Sequence, residues 1–288
     1  MKKLLLKSLS LFILSFCTTL TLKAQQANYT YANAWSTKSG VLNVQYHNNY
    51  PYSYADTDGE AAGIEIDIIK QFAKWLLDKK GINVEVKYER HDDFAKFYDK
   101  VKTNKTVSIG AGSVTVSSDR AREVKFSSPY LKNKPVLVSS VMKPTLSDVR
   151  NISKEFAGMT AVIVKGSIHE KLIKNIKENF WPQLNVEFVE SPNVVLDKIA
   201  ANEKYFGFLD LVTYWAAMQK DQKPLKLHRM NNTDSENFAF IFPKSSDWSN
   251  AFNEFFDSGI GFTGTDAYLD LLRRHLSSEI INAVAIQY

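Results

Sequence analysis

SVTVSSDRAREVKFSSPY, residues 113–130, frames the whole chain. Hydroxyls at Ser113, Thr115 and Ser117 lead into Arg120, and an apolar strand follows that ends in Ser127-Ser128-Pro129-Tyr130. A guanidinium offers a rigid fork that takes a carboxylate bidentately, and nearby hydroxyls and amides can complete the bonds to that anion. The same pattern also fits an arginine on a solvated helix, which is how we read Arg122.

Outward from this stretch, helical and extended patterns alternate. Ile68, Ile69, Phe72, Ala73 and Leu76 fall at helical spacing within 64–80, with Lys79 and Lys80 in the last turn and Gly81 as a stop. Val84, Val86 and Tyr88 then alternate as in a strand, Phe94, Phe97, Tyr98 and Val101 mark a second amphipathic helix, and 107–116 reads as extended. Downstream, 161–164 is a buried strand feeding Gly166-Ser167-Ile168 and a helix with Leu172, Ile173, Ile176 and Phe180. Strands follow at 186–188, 206–209 and 237–244, with a helix at 194–199 between the first two. Two helices are expected to close the chain, one from Asp247 to a stop at Gly259 and one around Leu269, Leu272 and Leu276. The alternation predicts an α/β fold with largely parallel sheets. Strands at 136–140 and 238–242 bracket a block of about 100 residues, an ordinary domain size. We read that block as an insertion, with lobe 1 at 36–135 and 239–288, lobe 2 at 136–238, and the bracketing strands as crossing hinges.

Composition fits a packed globular protein: 288 residues, 44% hydrophobic and 23% charged, net charge +5. Residues 1–24 begin Met1-Lys2-Lys3, continue through an apolar stretch broken by hydroxyls, and end at Leu22-Lys23-Ala24, the layout of a cleaved secretory signal. Removing its four lysines, Lys2, Lys3, Lys7 and Lys23, lowers the net charge to +1, so no general pull toward nucleic acid or anionic lipid is expected. The lone cysteine, Cys17, lies in the same stretch. Disulfides, thiolate chemistry and sulfur-bound zinc are therefore not expected in the exported chain.

Catalytic and metal motifs are broken. His169-Glu170 is followed by Ile173 where a zinc-binding helix needs histidine. GIGFTG at 259–264 matches GxGxxG but follows a helix, so it reads as a helix stop plus loop. No metal or cofactor is expected. Two further places invite chemistry. The strand feeding 166–168 exposes amide donors at a helix start, suited to an anion, or is simply a tight connection. Asp210 stands at the carboxyl end of a strand, either an N-cap or an acceptor for an ammonium group in the crevice where ligands of open α/β sheets bind. Together these compose a carboxylate clamp and an ammonium acceptor on two lobes.

The sequence resembles family 3 solute-binding proteins of bacterial ABC importers from about Gly40 to Leu276. The motifs carrying the resemblance are YPYSYADTDGEAAGIEIDIIKQFAKWL at 50–76, the 113–130 stretch, VIVKGSIHEKL at 162–172 and FGFLD at 206–210, in matching order and spacing. The resemblance implies a two-lobed type II periplasmic binding fold that captures an amino acid or similar small zwitterion. It implies a monomer in the periplasm, with no enzymatic activity, delivering its ligand to an ABC permease or a membrane sensor. By resemblance Arg120 grips the α-carboxylate, helped by Thr115 and Ser113. Gly166, Ser167 and Ile168 stand where the family often presents Gly-Thr-Thr, and Asp210 receives the α-ammonium. Phe94 and Tyr52, with Tyr50 nearby, are the candidate aromatic walls. Ile168 departs from the family's hydroxyl residue, Ser108 from its frequent acid, and Pro51-Tyr52 from its proline doublet.

The same fold also serves cyclohexadienyl dehydratases, for which Glu170 is the candidate acid, and the non-catalytic half of some peptidoglycan-cleaving lytic transglycosylases. With no transglycosylase domain in these residues, such an activity is expected to reside in a partner.

Overall fold

The computed structural model describes residues 29–228 and 236–286. The expected secretory segment, 1–24, lies outside the described residues.

Two sheets organise the chain. The first orders its strands Asn83–His91, Ser39–His47, Ile109–Thr115, Glu236–Pro243 and Val124–Phe126, with Leu131–Asn133 also pairing with Glu236–Pro243. The second orders Asn185–Val189, Thr160–Val164, Tyr205–Asp210, Pro135–Ser140 and Leu225–His228. The chain leaves the first sheet after Asn133, enters the second at Pro135, and returns to the first at Glu236.

The expected largely parallel sheets are only half so. Asn83–His91, Ser39–His47 and Ile109–Thr115 are parallel, as are Asn185–Val189, Thr160–Val164 and Tyr205–Asp210. The strands that arrive from the other sheet, Pro135–Ser140 and Glu236–Pro243, run antiparallel to them. Geometry explains this. Pro135 pairs opposite Asp210, and Phe238 opposite Thr115, so each crossing strand enters at the carboxyl ends of the parallel strands and must run back along them.

Local sequence accounts for most elements. Helix Ile64–Lys80 carries Glu65 and Asp67 in its first turn, buries Ile68, Ile69, Phe72 and Leu76, and stops at left-handed Gly81, whose amide reaches Leu76 and Leu77 carbonyls. GIGFTG ends helix Trp248–Asp257, with Gly259 at φ 65° and a short 3-10 turn at Phe262–Gly264. A third closing helix, Ser278–Val284, was not foreseen, nor was Tyr31–Thr37 near the start. The latter is fixed tertiarily: the Asp247 carboxylate accepts the Tyr31 and Ala32 amides at 2.8 and 2.9 Å.

An apolar cluster runs continuously from Phe97 and Val114 on the first lobe to Val138, Val162 and Leu209 on the second, so the lobes meet in a shared core behind the cleft. Behind the second sheet lies a buried polar group. His228 Nδ1 accepts the Leu146 amide at 2.9 Å, and Nε2 lies 2.7 Å from Ser139 Oγ. Nδ1 as acceptor makes the ring neutral, and burial pushes its pKa down to about 4. A histidine that titrates near 6.5 when unfolded and near 4 when folded stabilises the fold above pH 6.5, and that contribution is lost as pH falls toward 4. We expect His228→Phe, whatever its cost at pH 7, to flatten the pH dependence of urea-unfolding stability between pH 6.5 and 4 by about 2–3 kcal/mol; an unchanged slope would refute the assignment.

Candidate functional site

The carboxyl ends of the parallel strands of both sheets face one small cavity of about 40 Å³ between the lobes. Lobe 1 contributes His47 from the end of Ser39–His47, Asn49 from the turn beyond it, Phe94 from the start of helix Phe94–Thr103, Ser113 and Thr115 from Ile109–Thr115, and Arg120. Lobe 2 contributes Val164, Ser167, Ile168, His169, Pro192 and Asp210.

Arg120 sits on the short helix Ser118–Glu123, which begins at the Ser117 N-cap. Its side chain is 9% exposed. Nη1 donates to the Thr115 carbonyl at 3.1 Å and Nη2 to the Gly166 carbonyl of the other lobe at 3.0 Å. The Phe94 and Tyr98 rings lie 5.5 and 5.6 Å from its Cζ. Burial lowers the guanidinium pKa, opposed by the carboxylates of Glu236 and Asp210.

Asp210 resolves one of the two sequence alternatives. It occupies the N-cap position of helix Leu211–Lys220, yet its side chain makes no cap hydrogen bond. Instead Oδ1 accepts from Asn133 Nδ2 at 2.7 Å and lies 3.3 Å from His169 Nε2. Asn133 Nδ2 also reaches Glu236 Oε2 at 3.2 Å, and the Thr115 hydroxyl donates to the same oxygen at 3.2 Å. Burial raises the Glu236 pKa, His169 opposes the rise, and Asp210 adds to it.

Of the sequence candidates, Arg120, Asp210, Thr115, Ser113, Ser167, Ile168 and Phe94 share this cavity. Two are placed differently. Tyr52, expected as an aromatic wall, is fully buried in the lobe 1 core, edge-on to Phe238 at 5.4 Å, because the chain turns inward after Pro51. Gly166 is exposed, is not among the cavity residues, and offers Arg120 its carbonyl; its φ of 79° is a left-handed turn that suits glycine. The expected free amides at 166 and 167 are already used, since Gly166 N donates to Glu170 Oε1 and Ser167 N to the Val164 carbonyl. Glu170 therefore closes its own turn and is not among the cavity residues.

Sequence reading missed His47, Asn49 and His169 in the wall, and Asn133 and Glu236 behind it. For the first pair a signal existed: they follow the alternating Leu42, Val44 and Tyr46, at a strand's carboxyl end. Gly112 makes room for that corner, because a Cβ there would come within 2.5 Å of the Phe97 ring and 3.1 Å of His47 Cβ. Among the described residues, no group of three or more His, Cys, Asp or Glu is arranged to hold a metal ion.

Comparison with known proteins agrees with this architecture. Residues 42–259 match the model of the bacterial extracellular solute-binding proteins, family 3. A membrane-bound lytic murein transglycosylase F of Pseudomonas fluorescens (strain Pf-5) is 27% identical over 160 residues, 55% of this chain and 30% of the relative, so the match spans under a third of that protein's length. Among solved structures, an ABC uptake transporter substrate-binding protein from Streptococcus pneumoniae with bound histidine is 19% identical with a TM-score of 0.69, covering 85% of this chain and 95% of that one. An ancestral arginine-binding protein bound to glutamine is 18% identical with a TM-score of 0.65, covering 82% and 98%. At these identities the structural likeness establishes the two-lobed type II fold.

Beneath the cavity, Glu65 is fully buried and anchors its floor. Oε1 accepts the Gly112 and Ser113 amides at 3.1 and 3.0 Å and the Tyr130 hydroxyl at 2.8 Å. This fixes Ser113, whose φ of 46° lies in the left-handed region. Ser53 Oγ lies 3.0 Å from Glu65 Oε2 and 2.9 Å from the His47 carbonyl. One hydroxyl proton cannot serve two acceptors; a protonated Oε2 donating to Ser53, which then donates to His47, satisfies every group. Burial raises the Glu65 pKa, opposed by the hydrogen bonds from Ser113, Tyr130, Ser53 and Gly112. We expect Glu65→Gln to retain most of the folding stability in urea unfolding and Glu65→Leu to lose about 3–5 kcal/mol by orphaning its buried donors. Equal losses in the two variants would contradict a neutral carboxyl.

Proposed function

This chain belongs to family 3 of the bacterial extracellular solute-binding proteins, and we propose that it captures an amino acid or similar small zwitterion between its lobes for uptake by an ABC-type permease. The observation that carries this is the pairing of Arg120 on lobe 1 with Asp210 on lobe 2 across one cavity. A free amino acid carries a carboxylate and an ammonium on the same α-carbon, and these are the partners a guanidinium and a carboxylate select.

Arg120 engages two of its five N–H donors with Thr115 and Gly166, which orients the fork and leaves donors for a ligand carboxylate. Ser113 lines the cavity as a hydroxyl donor on the same lobe, while the Thr115 hydroxyl beside it is given to Glu236. Asp210, steadied by Asn133 at the crossing strand, is the ammonium acceptor. A ligand touching both residues gains its full set of bonds only when the lobes are together, so it favours the closed form. Direct links between the lobes already support that form: the Phe94 amide donates to the Glu190 carbonyl at 3.0 Å, and Lys171 Nζ lies 2.7 Å from Asp119. An exported, periplasmic protein without catalytic activity is the setting we infer, from the family's extracellular designation and residues 1–24. The dehydratase alternative is weakened by Glu170, which caps its own loop outside the cavity.

A second reading, a ligand-sensing or cell-wall-associated binding domain, is favoured by the murein transglycosylase relative. The two differ in what docks and in the ligand. A thermal-shift screen against amino acids, murein fragments and prephenate separates them, since a bound ligand raises the melting temperature by mass action. We expect amino acids to give the shift. In calorimetry with the amino acid identified, Arg120→Ala should weaken binding by ~1.5–3 kcal/mol, about tenfold or more. Undiminished affinity in that variant would remove Arg120 from the site.

A further inference from the structure

Several buried polar atoms in the cavity wall are short of hydrogen-bond partners: the His47 ring nitrogens, which have only the Asp92 backbone near them, Asn49 Oδ1, Ser167 Oγ, and His169 Nε2, which faces Asp210 Oδ1 at 3.3 Å. His47 is 1% exposed, and its ring stands edge-on to Phe94 at 5.4 Å. Asn49 Nδ2 is engaged with Ser113 Oγ at 3.2 Å, which leaves its carbonyl oxygen as the free end. From these groups we infer that the side chain of the captured molecule ends in an uncharged group that both donates and accepts hydrogen bonds, a carboxamide or a hydroxyl, held by His47 and Asn49 on lobe 1 and Ser167 on lobe 2. This rests on the zwitterion reading above.

The argument is one of matching. Burial pushes the His47 pKa down to about 4, against the pull of Asp92 and Asp93, so the imidazole is neutral and presents one donor and one acceptor. Asn49 adds an acceptor, and Ser167 a hydroxyl that does either. A single neutral group with both functions satisfies this set. Charged ends are disfavoured because, among the cavity-lining residues, Arg120 is the one guanidinium and Asp210 the one carboxylate, and the His169 imidazole already faces Asp210 at 3.3 Å. Arg120 and Asp210 are committed to the ligand's carboxylate and ammonium, so a third ionic group would be desolvated without a counter-ion. A purely apolar end would leave His47 and Asn49 unpaired in a dry wall.

Titration calorimetry of the protein with glutamine, threonine, glutamate, lysine and norleucine tests this. Glutamine or threonine should bind at least about tenfold more tightly than the other three. His47→Phe should cut the advantage over norleucine to under about threefold, while norleucine itself still binds. Asn49→Leu provides the same comparison if the first variant folds poorly. Equal or tighter binding of a charged or apolar side chain, still dependent on Arg120, overturns the side-chain inference alone. No binding of any of the five, or binding that Arg120→Ala leaves untouched, overturns the zwitterion reading and this inference with it.

Discussion

A guanidinium nine-tenths buried must find acceptors, and those Arg120 finds lie on different lobes. The Thr115 carbonyl holds it on its own lobe and the Gly166 carbonyl receives it from the other. Burying such a charge costs several kcal/mol unless its donors are met. The same side chain therefore ties the lobes together and stands where a ligand carboxylate would add a further acceptor. Gly166 is suited to that task by a left-handed turn, and Glu170 secures the turn by accepting the Gly166 amide.

The crossing strands determine what faces Arg120. Because the chain changes sheet at the carboxyl ends of the parallel strands, the residues at the crossing converge on the cleft: Asn133 just before it, Asp210 opposite Pro135, and Glu236 on the return. Asn133 donates to Asp210 and to Glu236 together, so one amide spans the crossing and steadies both carboxylates. The crossing and the Asp210 side of the cavity are thus built from the same few atoms. A change in lobe angle is expected to register at Asp210.

Polar groups around the cavity fall into two kinds. Glu65 and His228 are buried with every bond made, so they hold backbone in place and offer nothing to a visitor. His47, Asn49 and His169 are buried, and Ser167 half-buried with its hydroxyl oxygen inside, each with a polar atom left unpaired. In a folded protein the second kind is the minority, because an unpaired buried donor or acceptor costs free energy that a satisfied one does not. Tyr52, Tyr88, Thr213 and Thr263 also bury an unpaired hydroxyl outside the cavity, so it is the clustering of such atoms around one cavity, beside Arg120 and Asp210, that supports the proposed ligand surface.

How much of this was legible in the chain follows from whether the signal is local. Helix Ile64–Lys80 was readable from its apolar spacing, acidic start and Gly81 stop, and Arg120 from the hydroxyl-rich stretch around it, because each is encoded within a few turns of backbone. Helix Tyr31–Thr37 was not: it is only seven residues long, and although Thr30 caps it locally, its first two amides are taken by the Asp247 carboxylate more than two hundred residues away. Tyr52 carried the right chemistry for a wall, but only the packing against Phe238 decided that it faces the core. The antiparallel half of each sheet likewise depended on where the chain crosses between lobes. Sequence by itself determined the α/β class, the family resemblance and the charged candidates, because periodicity and short motifs are properties of neighbouring residues. Tertiary structure alone decided that His47, Asn49 and His169 join Arg120 and Asp210 around one cavity, because a hydrogen bond left unmade is a property of everything that surrounds an atom.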